Sequence, residues 1–209
     1  IYDNKAKLPL GLLSHSDQGM SWQTGIPQSR GNVGWVGRMG DLIQDMNKSK
    51  DISMNISLSG SNLLETGKEI VEYVLDPTQG SIGINGYRPD NMYDIINIAK
   101  TKAIDSLLDH QYLDVFQKTY VDVVRNARDG NLLFQGALEN GPEIKTTFSD
   151  NDFSKSLNMI ARTISVHEQL GFKRQVFYVN FYGWDHHDEV LQNQVDMFNI
   201  VNDGLVEFY

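Results

Sequence analysis

The chain contains no cysteine, which excludes disulfides, thiolate metal sites and cysteine nucleophiles while leaving the compartment open. Histidine is scarce, with five in 209 residues, so any imidazole chemistry must come from few positions. Basic residues are outnumbered, 18 against 27 acidic, for a formal net charge of -9. No run of five or more Lys and Arg occurs. Binding through phosphate neutralisation is therefore disfavoured and no nucleic-acid partner is expected; the acidity is read as serving solubility. No apolar run reaches the roughly 18 to 20 residues that cross a bilayer, so no transmembrane segment is expected. The start, "IYDNKAKLPL", lacks an initiator Met and any signal-peptide pattern. The end, "VDMFNIVNDGLVEFY", stops on an aromatic pair inside a helical pattern. Both ends look cut, and a fragment or a processed part of a longer protein is expected.

What is present is the composition of a folded protein, 40% hydrophobic and 22% charged. The length favours a single domain over residues 1–209 with room for a sizeable core. "LPLGLLS" (8–14) has the composition of a short buried strand, and the Gly, Ser, Asn and Pro of 14–32 predict a loop. Trp35, Met39, Leu42, Ile43 and Met46 recur at helical spacing. The three glycines among them, Gly34, Gly37 and Gly40, are costly in a helix and imply close packing on a neighbour. Ile52, Met54, Ile56 and Leu58 alternate with small polar residues, a strand pattern. "EIVEYVLD" predicts another strand, followed by a turn at "PTQG" and a loop. Residues 89–140 read as two helices, a helical excursion from the sheet.

"NDFSKSLNMIARTISVHEQLG" predicts a helix with Phe153, Leu157, Ile160, Ala161 and Ile164 on one face, Asp150 or Asn151 as cap and Gly171 as terminator. Val176 to Val179 are consecutive apolar residues, as in an interior parallel strand covered on both faces. A last helix aligns Leu191, Val195, Phe198 and Leu205. Helix, strand, loop and helix in this order predict an α/β fold with a parallel-rich sheet.

Ligands of open α/β sheets bind beyond the carboxyl ends of the strands, which directs attention to "FYGWDHHDE" (181–189). Asp185 and His187 offer a carboxylate oxygen and an imidazole nitrogen, a donor mix suited to zinc, manganese or iron. His186 and Asp188 would serve around them or face solvent. The competing reading is a polar loop in which Asp185 or Asp188 caps the next helix. A second cluster, "LLSHSDQ" (12–18), places Ser14, His15 and Ser16 after the first predicted strand, as catalytic candidates or as a loop bonding its own backbone. In "SLSGSNLLETG", Ser59, Gly60, Ser61 and Asn62 follow a strand and could hold an anion, but a turn is the expectation. His110 and His167 are expected at the surface or core edge, and Trp22, Trp35 and Trp184 in aromatic packing.

Five separated motifs, "LLSHSDQGMSWQTG", "GWVGRMGDL", "ISLSGSNLLETG", "FSDNDFSKSLNMIARTI" and "LGFKRQVFYVNFYGWDHHDE", in this order resemble a large bacterial family of unknown function, domain of unknown function fifteen-oh-one. Its members are typically exported with a twin-arginine signal and are grouped with the alkaline phosphatase and sulfatase superfamily. The resemblance implies a three-layer αβα sandwich, alkaline-phosphatase-like, and a periplasmic or extracellular protein. It further implies a divalent metal held by Asp185 and His187, and a small-molecule or polysaccharide ester substrate. The stretch "SHSDQ...TG" is loosely similar to the sulfatase segment around the nucleophile and nominates Ser14, although the Pro-Ser-Arg core is missing. The family's upstream Gly-rich, Asp-containing loop and its downstream Phe-Gly-Arg and Asp-His-Gly motifs are not in this sequence. The expected function is part of a metal-dependent phosphate or sulfate ester hydrolase. The rival expectation is a non-catalytic cell-envelope binding or structural protein that keeps the fold.

Overall fold

The computed structural model describes residues 8 to 209. Among them, three short strands form one parallel sheet with β1 (Asn55–Ser57) in the centre, between β2 (Tyr73–Val74) and β3 (Val176–Tyr178). Ile56 pairs with Tyr73 on one side and with Phe177 on the other. The helices are α1 (His15–Thr24), α2 (Trp35–Ile43), α3 (Ile95–Asp109), α4 (Val115–Glu139), α5 (Asp152–Ser165) and α6 (Val190–Phe208). The chain is thus an α/β protein, and no described helix is long and apolar enough to cross a membrane.

The alternation read in residues 51–60 is realised at β1. Successive strand residues face opposite sides, so Met54, Ile56 and Leu58 enter the apolar core while Asn55 and Ser57, equally buried, turn the other way. The core gathers these with Leu75, Phe134 and Ala137 of α4, and Leu157 and Ile160 of α5. Phe134 and Ile56 are both 0% exposed. On the side of Asn55 lies α2, and its glycines explain that approach. A Cβ on Gly34 would stand 2.0 Å from the Leu64 carbonyl oxygen, one on Gly37 2.1 Å from that of Thr66, and one on Gly40 3.0 Å from the Asn55 amide. The Gly34 and Gly37 amides donate to the Thr66 and Leu64 carbonyls. The expected close packing is therefore found, against the loop that follows β1.

Four sequence expectations are corrected, the first being the end of α5, which stops at Ser165 with Val166 as its C-cap and not at Gly171. Residues 8–14 form no strand: they turn, with Gly11 at φ +58°, and Leu13 is 97% exposed. Much of the predicted loop 14–32 is helix α1, because Ser14 caps it by accepting from the Asp17 amide and Gly25, in the left-handed region, ends it. Only Gly lacks the Cβ that penalises that conformation. The apolar run at 176–179 is parallel as expected but edges the described sheet and is half-buried, while β1 is the interior strand. The central segment does form two helices, and Asn151 does cap α5 through the Ser154 amide. On α6, Leu191, Val195, Phe198 and Leu205 are all more than half exposed; the contact with α5 runs instead through Gly204, where a Cβ would meet Phe153 at 2.9 Å.

Candidate functional site at the strand ends

Because the three strands are parallel, their carboxyl ends share one rim. The segments leaving β1 and β3 are tied together there: the Leu58 amide donates to the Tyr178 carbonyl, and the Asn180 amide to Ser59 Oγ at 2.8 Å. Ser57 Oγ donates to the Gly60 carbonyl and accepts from the Ser59 amide. The chain bends at 58–60 and turns at 63–65, just beyond the expected turn at 59–62, and the Ser59 amide and the Ser59 and Asn62 side chains are spent on the chain itself.

Over this rim opens a cleft of about 400 Å³, bounded by Leu58 and Ser59 after β1, Asp76 and Thr78 after β2, and Asn180 and Tyr182 after β3. Asp152, Phe153, Lys155 and Ser156 close it from the first turn of α5. A helix N-terminus carries partial positive charge and unbonded N–H groups. Lys155 adds a full charge beside it, shared with Asp150 at 2.5 Å, a contact that holds its pKa above the usual lysine range. Asp76 is committed locally. Its Oδ1 accepts from the Thr78 hydroxyl, the Gln79 amide and the Thr78 amide, which together keep its carboxyl below the usual range.

A second polar centre lies beneath the loop after β1. Glu65 is 0% exposed, with Oε2 accepting from the Asn62 amide group at 2.8 Å and Oε1 buried with no partner. Burial pushes its carboxyl up to about 7, against the Asn62 hydrogen bond and with a further rise from the Glu72 charge. Asn55, also 0% exposed, donates to the Glu65 carbonyl and leaves its own Oδ1 without a partner. Gln23 of α1 pins the same loop by accepting from the Leu63 and Leu64 amides. A glutamate in "NLLETG" carries no sequence signal of such burial, since the fold of a distant helix over the loop creates it.

Asp185 and His187 stand beyond the rim. They pair with each other at 3.4 Å and are 91% and 87% exposed. Neither Asp185 nor Asp188 caps α6: that position is Glu189, at φ +45° and without a side-chain cap bond. The loop is held by aromatic packing, Phe153 on Phe181, Phe181 on Trp184 and Trp184 on Phe198. His186 is the histidine that turns inward, with its Nε2 buried and unpartnered. No group of three or more His, Cys, Asp or Glu is placed to hold a metal among the described residues. Catalytic zinc takes three protein ligands, so Asp185 and His187 supply too few donors to fit such a centre by themselves.

Ser14, His15 and Ser16 open α1. Ser14 Oγ accepts from the Asp17 amide and lies 3.0 Å from Ser16 Oγ, while His15 is exposed. Asp17 is held below the usual carboxylate range by the Ser14 hydrogen bond and by Arg30 at 3.2 Å. Neither this trio nor Asp185 and His187 line the rim cleft. His110 closes α3 with its ring against Tyr112, and His167 is exposed at the end of α5, in keeping with surface roles. Comparison of the chain with protein-family models, curated proteins and solved structures gives no match to any of them.

Proposed function

We propose that this chain is part of an exported hydrolase of the alkaline phosphatase and sulfatase type, arranged as a three-layer αβα sandwich, whose rim cleft receives the anionic group of a phosphate or sulfate ester. The observation that carries this reading is the meeting of three parallel strand ends with the first turn of α5 and Lys155 around one cleft. Ligands of open α/β sheets bind at that rim. An anion there gains from the helix N-terminus and from the lysine. The reaction class and the periplasmic or extracellular location are what the resemblance of the five ordered motifs implies.

Within this proposal Ser14 and Ser16 are the nucleophile candidates and His15 the acid or base beside them. As described they start α1 and lie outside the rim cleft, so attack on an ester held there needs Ser14 to leave its cap position and the start of α1 to reach the rim. A divalent metal would neutralise charge on the transferring group. With only Asp185 and His187 on offer, no step is assigned to it.

The alternative is an envelope protein that binds a ligand without turning it over, and the exposure of Asp185 and His187 favours it. Fold alone does not decide activity. A panel of aryl phosphates and aryl sulfates, assayed with zinc, manganese or iron supplied, separates the two. Turnover that falls in Ser14→Ala and Lys155→Ala variants supports the hydrolase. Binding of phosphate to the wild-type chain without turnover of any ester supports the alternative.

A further inference from the structure

The α3–α4 hairpin carries an apolar surface that the other described residues leave open. In α4 the buried residues begin only at Gly130, followed by Phe134 and Ala137. The preceding 15 residues, Val115 to Asp129, therefore extend roughly 22 Å at 1.5 Å per residue without entering the core. Along that stretch Phe116, Tyr120 and Val123 fall at i, i+4 and i+7, one stripe of a helix. They are 86%, 70% and 61% exposed. Leu113 at the tip is fully exposed, and Leu107 of α3 is 61% exposed. Leu107 and Tyr120 also border a groove of about 370 Å³ between the two helices, floored by Ile104, Leu108, Val121 and Val124.

With Val115, 73% exposed, these six apolar residues present several hundred Å² to solvent, of which Phe116 and Tyr120 supply roughly 230 to 390 Å² at about 150 to 250 Å² for a fully exposed aromatic side chain. The largest apolar patch of an ordinary monomer is about 300 to 600 Å², whereas one partner of a stable protein interface buries about 800 Å². Charge points to which partner. A protein at -9 repels its own copy, but residues 95–129, α3 with the projecting part of α4, hold five acidic and five basic side chains. Asp122 and Arg125 already pair at 2.7 Å. Two copies meet with least repulsion where each is neutral.

We propose that this arm docks on the same arm of a second copy of the chain, in an isologous contact that packs four helices together. Such a contact places the same patch on both sides of a two-fold axis. The projecting Leu113 and Phe116 of one copy are of a size to fill the interhelical groove of the other. This inference is independent of the ester-binding proposal, since none of the arm residues lines the rim cleft.

Sedimentation equilibrium of the chain tests it. The wild-type protein is expected to be a dimer, and Phe116→Asp or Tyr120→Asp to weaken dimerisation at least about tenfold, with helix content unchanged in far-ultraviolet circular dichroism. Because the chain has no cysteine, a single Leu113→Cys substitution gives an orthogonal readout: a bifunctional maleimide should link two copies, and Phe116→Asp should abolish the link. A wild-type chain that stays monomeric overturns the proposal, whatever the variants do. So does a dimer that survives both aspartate substitutions but is lost in Phe198→Asp, which would assign the contact to α6.

Discussion

The Asn62 side chain donates to one oxygen of Glu65 at 2.8 Å, while the other oxygen of that carboxyl is buried with no partner. A carboxyl in this position resists ionisation, because the charged form loses water and gains a single hydrogen bond in exchange. Its pKa in the folded chain is about 7, against an ordinary value of 4.5.

The sign of the linkage follows. The folded state holds the Glu65 proton more tightly than the unfolded state, so the stabilising contribution is complete below about pH 4.5 and is lost as pH rises to about 7. The loss is on the order of 3 kcal/mol. Glu65→Gln keeps the size without the ionisation, so its urea midpoint at pH 8 relative to pH 5 should fall less than that of the wild type. Parallel pH profiles for the two proteins would show that Glu65 is not the titrating group.

Glycines of α2 and α4 should respond in opposite directions. Gly37→Ala places a Cβ 2.1 Å from the Thr66 carbonyl oxygen, and overpacking against backbone should cost about 1 to 3 kcal/mol or more. Gly136 lies inside α4 with open space about it. Gly136→Ala should therefore stabilise by about 0.5 to 1 kcal/mol through helix propensity. Thermal unfolding of both variants reads the pair.

Ser14→Ala removes the α1 cap and should lower stability by about 1 kcal/mol. Ser14→Asp retains a capping oxygen and should restore most of it. If Ser14 is also the nucleophile, ester turnover is lost in both variants, so comparing denaturation with activity separates the two roles.

Asp185→Ala should leave the unfolding midpoint unchanged, since its partner His187 is as exposed as it is. Equilibrium dialysis of the same variant against zinc measures whether the pair contributes to metal retention, the expectation drawn from the sequence.

Legibility followed the range of the interactions. The helices of α2 to α6 were visible because apolar spacing and local caps such as Asn151 are properties of neighbouring residues. The strand alternation at β1 was visible for the same reason. Residues 8–14 misled because Leu8, Leu10, Leu12 and Leu13 have the composition of a strand, while the local signal that decided the outcome was Ser14-x-x-Asp17, a capping pattern, with Gly25 as stop. The site was less legible. The rim cleft draws on residues 58 to 182, and the burial of Glu65 depends on the loop of which it is part being covered by α2 and pinned by Gln23. Such contacts leave no trace in a window of ten residues. Trp184 packs as expected, against Phe181 and Phe198, whereas Trp22 and Trp35 are exposed and join no aromatic pair among the described residues, and the inward turn of His186 in place of His187 has no signal in the sequence.

The most direct test of the central claim is backbone amide NMR of the chain titrated with inorganic phosphate, then with an aryl phosphate. The account predicts saturable shifts at Ser59, at Asp152 to Ser156 and at Asn180, weakened about tenfold or more in Lys155→Ala. Shifts absent from these amides at millimolar ligand, or confined to residues 14–17, would contradict it.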